Sequence, residues 1–446
     1  MRRAYPASAY DPAPPPSYWA STVPETTARR TPIERDMVVG AAIIGAGVTG
    51  LNAALTLAEA GEEAVVFDAS YPGWGASGRN GGFCCVGGDG RGYDAMVRDN
   101  GTAQTRDYVS RQMAAVEHVA ELLDRHGIDA DRHSDGEWEL AHSAKAFTDG
   151  ADYIELEKRL GLEMTAFSKE ELAEQGIAGG FVHGGWRRRP GFALNPLKYV
   201  TGLARAAEAA GAVICTHSPV HDVKTAPGGY RLRVGGFEVR AKRLIVCVNG
   251  YGGDGWVPAL TDRVLPVMSN IIVTRPLTED ERKAAGWTTE QAVYDTRARV
   301  HYFRMLPEGR MMFGARGGSS LHPWNVKRLQ KAIREDFKRM YPAWADVEIE
   351  HDWNGLLALT WARTMHIGPL DGWDNGWTAF GYHGNGVAMG SYSGKLVAEM
   401  AMGKLKREDL PVQMSGPLKR FPLPWARMAY IKGYYVAWDL NEKLRG

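Results

Sequence analysis

At 446 residues the chain exceeds the usual single-domain size, so one large domain or two closely joined ones with ample core are expected. Its 53 basic and 52 acidic residues leave no net field for nucleic acid or an anionic membrane, which points to small-molecule partners. Four cysteines make no disulfide framework and no secretory-leader pattern opens the chain, so a cytoplasmic, reducing setting is expected.

Residues 1–36 are rich in Pro, Ser, Thr and Ala and read as an extended arm, with Tyr18 and Trp19 docked on the body. The next stretch, "MVVGAAIIGAGVTGLNAALTLA", is uncharged and long enough for a bilayer. Its glycines, however, sit between a β-branched run and an alanine/leucine run, which is the pattern of a strand, a turn and a helix. Val38 to Ile44 is the strand, Gly45-x-Gly47-x-x-Gly50 the turn, Val48 to Glu59 the helix, and Ala64 to Phe67 the next parallel strand. Gly45 allows the turn, Gly47 admits a pyrophosphate to the backbone amides, Gly50 lets helix and strand touch, and the helix N-terminus attracts the anion. Asp68, 18 residues beyond Gly50, stands where a carboxylate accepts ribose hydroxyls.

A nicotinamide enzyme continues from here into another crossover helix. This chain instead enters a glycine-rich loop, "GWGASGRNGGFCC", suited to run beside the pyrophosphate and ribityl chain of an extended FAD. Arg79 and Asn80 are its expected polar contacts. Cys215 and Cys247 lie in apolar runs that read as buried strands, whereas Cys84 and Cys85, just past the loop, are open to either a packing or a reactive role.

Further along, a helix is expected from Pro196, stopped by Gly211 and followed by a strand ending near Val220. In "RARVHYFRMLPEGRMMFGARGG" two runs flank the turn "PEG", a hairpin signal, and period-two alternation puts Val300, Tyr302, Arg304 and Leu306 on one face. "GYHGNG" (Gly381 to Gly386) is a glycine turn. The helix after it, ended by Gly403, carries Val387, Gly390, Gly394 and Val397 on one face, small enough to press on the sheet. The C-terminal "FPLPWARMAYIKGYYVAWDLNEKL" is aromatic and mildly basic, and reads as a tail packed on its own protein or a symmetry partner rather than a membrane anchor.

Together "GAGVTGLNAALTLAEAG", "GWGASGRNGGF", "AKRLIVCVNGYGG" and "AFGYHGNGVAMGSYSGKLVAEM" resemble the FAD-dependent oxidoreductases of the D-amino-acid oxidase and glycine oxidase superfamily. "SYWAST", "RVHYFRMLPEGRMMFGARGG" and "WNGLLALTWARTMHIGPL" are similar to its γ-glutamylputrescine oxidoreductase type. The resemblance implies an α/β fold: a discontinuous Rossmann-like FAD-binding domain (37–108, 192–262 and 352–405) and a second, substrate domain on a mostly antiparallel sheet (109–191 and 263–351), followed by a tail at 406–446. It also implies non-covalent FAD. The expected contacts are Gly45, Gly47, Val48, Thr49, Gly50, Asp68 and Ala69 in the first motif, and Gly75, Ala76, Ser77, Arg79, Asn80, Gly81 and Gly82 in the loop. Val220, Asn249 and Gly250, then Gly384, Asn385, Gly386 and Val387 with the helix N-terminus at the flavin, complete the set.

The same resemblance implies hydride transfer to flavin from the carbon beside a neutral amine, imine hydrolysis, and re-oxidation by O2 to hydrogen peroxide. In glycine oxidase and similar enzymes two arginines grip the substrate carboxylate; here those positions are Leu357 and Gly384, which favours an amine over a small amino acid. Arg304, beside Tyr302, is the candidate for a distal carboxylate such as that of a γ-glutamyl amine. Tyr302, Trp353 and Tyr382 are candidates to line the amine site, and His383 is the candidate base. No metal site is expected, and a homo-oligomer is compatible with the sequence. Two other readings stay open at this stage: an FAD-dependent amino-acid dehydrogenase passing electrons to quinone, and a non-catalytic or NAD-dependent dinucleotide-binding protein.

Overall fold

The computed structural model describes residues 5–11, 16–24, 30–297, 299–318 and 322–433. The end of the expected tail and part of the arm lie outside these residues. The first sheet grows from Met37–Ile44, whose Val39, Ala41, Ala42, Ile43 and Ile44 are covered on both faces, as a central parallel strand requires. It lies between Phe237–Val246 on one side and Ala64–Phe67 on the other, all parallel. Val213–Cys215 and Gly376–Phe380 extend the parallel order outward, and an antiparallel hairpin, Val220–Ala226 with Gly229–Val234, leans on Phe237–Val246. The helices Val48–Glu59, Pro196–Ala209 and Ala388–Ala401 cover this sheet and share one apolar core with it.

The second sheet has eight strands in the order Ile349–Leu359, Leu265–Pro276, Arg310–Arg316, His301–Met305, Ala292–Asp295, Glu137–Leu140, Gly185–Arg189 and Glu163–Phe167. All neighbours pair antiparallel except Ala292–Asp295 with Glu137–Leu140. An aromatic core of Phe303, Phe313, Phe337, Tyr341 and Trp344 packs the outer face under the helix Pro323–Met340. The inner face looks toward the first sheet. A two-stranded ribbon, Phe83–Cys85 with Gly191–Ala193, crosses between the two halves. The arm docks as expected, with Tyr18 and Trp19 buried, and its described residues include helical turns at Ala7–Tyr10 and Tyr18–Ser21 where extended chain was expected.

Four expectations of detail are corrected. The helix Tyr93–Arg125 runs through the expected boundary at 108/109, interrupted only at Gly101 (φ 82°), so no linker falls there. Ile349–Leu359 pairs along its length with Leu265–Pro276, so the segment from 352 begins in the second sheet and returns to the first only at His366–Pro369. The strand after Gly211 ends at Cys215, and Val220 opens the next strand instead of closing that one. Finally, the small face of Ala388–Ala401 presses chiefly on the helix Val48–Glu59: a Cβ on Gly394 would lie 2.2 Å from the Thr49 carbonyl oxygen.

Candidate active site

A single cavity of about 960 Å³ runs from the Gly45–Gly47 turn to the inner face of the second sheet. At its start Gly45 has φ 105°, open to glycine at little cost, and a Cβ there would lie 2.7 Å from the Cys247 carbonyl oxygen. Gly47 has no side chain to cap the helix it opens, and its missing Cβ would meet Ser77 Oγ at 2.7 Å. The glycine loop reaches back here, Ser77 Oγ accepting the Val48 N–H at 3.0 Å. Asp68 accepts the Ala46 N–H at 2.7 Å and the Ser70 N–H at 2.8 Å, so it ties the turn together while its edge faces the cavity. Burial raises its pKa, and the two backbone N–H groups oppose that shift.

The loop is held from behind. Trp353 Nε1 donates to the Arg79 carbonyl at 2.8 Å, Trp19 Nε1 to the Asn80 carbonyl at 2.9 Å, and Arg304 Nε to the Gly81 carbonyl at 3.0 Å. Three successive carbonyls are thus taken by the strand Ile349–Leu359, the arm and the strand His301–Met305. The Asn80 side chain stays within the loop, donating to the carbonyls of Ala76 and Ser77 and accepting from Gly82 N–H. Arg79 stacks its guanidinium 4.4 Å over the Trp74 ring.

Most of the sequence-derived cofactor residues meet in this one wall. Gly45, Gly47, Val48, Thr49, Asp68 and Ala69 line the cavity; so do Gly75, Ala76, Ser77, Arg79, Asn80 and Gly81, and across from them Val220, Asn249, Gly384, Asn385, Gly386 and Val387. Gly50, Gly82 and Gly250 do not. Gly50 packs the helix on the turn, its absent Cβ 1.9 Å from the Gly45 oxygen, and Gly82 lets Leu194 and Arg304 approach the loop. At Gly250 the backbone of Leu357 comes within 3.1 Å of where a Cβ would stand.

The catalytic candidates divide. Tyr302 lines the cavity, its hydroxyl 2.8 Å from Ser269 Oγ, and burial pushes its pKa up to about 12, so it stays a neutral phenol. Tyr382 lines it too, with its hydroxyl 2.8 Å from Thr49 Oγ1. Trp353 and Arg304 do not line it, which corrects both expectations. Arg304 is wholly buried, and its guanidinium is spent on the carbonyls of Gly81 and Leu194 and on His133 Nε2 at 2.7 Å. Burial lowers its pKa to about 9, still charged at neutrality, but it is out of reach of a distal carboxylate.

His383 is corrected as a base. Its Nε2 accepts the Thr360 N–H at 3.2 Å, the ring also bonds the Thr364 backbone, and burial pushes its pKa down to about 3. The glycine turn is also less empty than Gly384 suggests. Arg316, from the strand Arg310–Arg316, lines the cavity there and donates to the His383 carbonyl at 3.0 Å.

The far end of the cavity was not legible from motifs. Glu137, Glu139 and Arg188 rise from neighbouring strands, Tyr294 from the next, Asp89 from the loop before the helix Tyr93–Arg125, and Glu157 from the helix Ala144–Leu160. Arg188 donates to both Glu157 oxygens at 2.9 Å, to Glu139 at 3.3 Å and to the Tyr294 hydroxyl at 2.7 Å, and lies 3.6 Å from Glu137. Burial raises Glu137 to about 7, against the pull of Arg188 and the Cys85 thiol. Burial also pushes the Cys84 and Cys85 thiols up, so neither is a ready thiolate.

Glycine turn, helix start at the cavity, strand-end carboxylate and glycine loop define a dinucleotide-binding flavoprotein cradle continuous with a substrate cavity. The residues present fit FAD: the space at Gly45 and Gly47 is left by missing side chains, and Asn385 Oδ1, in the opposite wall, is buried without a partner among the described residues. The chain belongs to the FAD dependent oxidoreductase family, whose model matches residues 41–400. It is similar to the probable oxidoreductase OrdL of Rhizobium meliloti, 31% identical over 84% of this chain and 86% of that one. It is similar also to the gamma-glutamylputrescine oxidoreductase of Escherichia coli, 29% identical over 86% and 88%. The glycine oxidase of Geobacillus kaustophilus shares the fold, with a TM-score of 0.69 at 19% identity over 86% of this chain and all of that one. The protein is an FAD-dependent oxidoreductase. Among the described residues no helix is long and apolar enough to cross a membrane, and no three His, Cys, Asp or Glu are placed to hold a metal ion.

Proposed function

We propose that the chain oxidises a cationic amine, primary or N-substituted, with non-covalently held FAD and with O2 as the final acceptor. One observation carries this: in the far wall of the cavity Asp89, Glu137, Glu139 and Glu157 gather around a single guanidinium, Arg188, which Glu137, Glu139 and Glu157 already hold. An excess of carboxylates attracts an ammonium and repels a small anionic substrate. Bound FAD supplies the acceptor for the two electrons and the hydrogen leaving the carbon beside nitrogen. The chain's own part is placement. The loop carbonyls at 79–81 are fixed by Trp353, Trp19 and Arg304, Tyr302 stands as a neutral phenol hydrogen-bonded with Ser269, and neutral His383 holds the turn at Thr360. The balance is amine, oxygen and water in, and aldehyde, ammonia or the smaller amine, and hydrogen peroxide out.

A second reading, an amino-acid dehydrogenase using quinone or another acceptor, is favoured by Arg316, whose guanidinium lines the cavity at Gly384. The test is anaerobic flavin bleaching by γ-glutamylputrescine, other primary and N-methyl amines, glycine, sarcosine and D-amino acids, followed by admission of air with peroxide detection. Bleaching by amines with peroxide on re-oxidation is expected. Bleaching by amino acids alone, without peroxide, overturns the proposal for the second reading.

A further inference from the structure

The second sheet carries a same-face row away from the flavin loop. Tyr302 stands directly opposite Tyr294, and Tyr294 opposite Glu139, on three adjacent strands. Directly paired residues project to the same side, and strands lie about 4.8 Å apart, so Glu139 is roughly 10 Å from Tyr302 along the cavity floor. One strand further, Arg188 stands opposite Glu137. The roof over this end is Tyr93, Tyr153, Asp89 and Glu157, the two tyrosine rings parallel with centroids 6.1 Å apart.

Charge and hydrogen bonding in this chamber are both incomplete. Arg188 offsets one carboxylate, and its donors are already given to Glu157, Glu139 and Tyr294. Among the described residues, no second cation of the protein lines the chamber to offset the remaining carboxylate charge. Tyr93 is only 2% exposed and lines the cavity, yet its hydroxyl has no hydrogen-bond partner among the described residues. A donor entering from the cavity would meet it. Surplus carboxylates, aromatic faces and an unmet hydroxyl together suit an alkylammonium, which offers three donors and a charge that carboxylates and rings both attract.

We propose that this chamber is a subsite for a second, distal ammonium, so that the preferred substrates are diamines and longer polyamines whose near amine reacts at the Tyr302 end. The inference rests on the amine reading above and narrows it. The measurement is anaerobic flavin reduction of the full-length, FAD-loaded protein by butylamine, putrescine, N-acetylputrescine and spermidine. Putrescine and spermidine should reduce the flavin at least ten-fold more efficiently than butylamine, and N-acetylputrescine, which has lost the distal charge, should fall with butylamine. In E139Q the putrescine-to-butylamine ratio should drop ten-fold or more, and Y93F should lower it as well, with flavin content and visible spectrum reporting that the fold is kept. Equal efficiency for butylamine and putrescine in the native protein overturns the subsite while leaving amine oxidation standing, and this comparison decides even if a variant loses FAD. Reduction by amino acids and by none of these amines overturns both.

Discussion

At the scale of single residues, the polar side chains nearest the flavin loop act on its backbone. Trp353, Trp19 and Arg304 take the carbonyls of residues 79, 80 and 81 in turn, and each comes from a different part of the chain. Removing one donor leaves a carbonyl unmet and frees the loop to reorient. Trp19→Phe and Trp353→Phe should each weaken FAD binding by about 1–2 kcal/mol, roughly 5- to 30-fold in the dissociation constant measured by titrating the apoprotein with FAD. Unchanged affinity in both would show that the loop is held without them. His383 makes the opposite case. With Nε2 committed to Thr360 and a pKa near 3, it has no free lone pair and does not titrate in the working range. The pH profile of kcat/KM in His383→Gln should therefore keep the limbs of the native enzyme, whereas loss of its acid limb would restore His383 as the base.

At the scale of elements, the site depends on two helices meeting closely. Ala388–Ala401 approaches Val48–Glu59 at Gly394, where a Cβ would lie 2.2 Å from the Thr49 oxygen and 2.7 Å from Asn52 Cβ. Tyr382 to Thr49 and Tyr199 to Ser391 are the hydrogen bonds that brace this layer. Gly394→Ala should force the helices apart, lowering stability by about 1–3 kcal/mol or more and loosening FAD, which thermal melts with and without added FAD would read. A melt unchanged by the methyl would mean the interface yields freely. The glycine spacing of that helix face was legible in the sequence because helical periodicity is local; its partner was not, because a small face fits a sheet or a helix equally well. Likewise the 45–50 turn, Asp68 and the loop at 75–81 were legible as residues close in sequence that line one cavity. Alternation correctly put Arg304 on the face of Tyr302, but it says nothing of depth, and Arg304 lies under the loop, wholly buried. Arg316 and the carboxylate chamber were missed because Asp89, Glu137, Glu157 and Arg188 come from four separate segments with no shared spacing.

At the scale of the whole molecule, the two halves meet at a titratable seam. Cys85, on the ribbon strand beyond the flavin loop, donates its thiol to Glu137 of the second sheet, and Glu137 faces Arg188, Glu139 and Glu157. Burial holds the Glu137 pKa near 7, above its ordinary value of 4.5, so between these limits the folded protein keeps a proton that the unfolded chain releases. The stability this supplies is fully present below the ordinary value and is lost as pH rises through about 7. The amide of E137Q, always neutral, does not follow that curve. Thermal melts of the FAD-loaded proteins from pH 5 to 8 should show the native protein losing stability relative to E137Q as pH rises from 5 to about 7, and the difference levelling off above that. A difference that stays constant over that range would mean Glu137 is already ionised at pH 5, held as a full charge by Arg188. Glu137 would then lend the chamber its negative charge throughout that range, and its share of the grip on a distal ammonium would not tighten with rising pH.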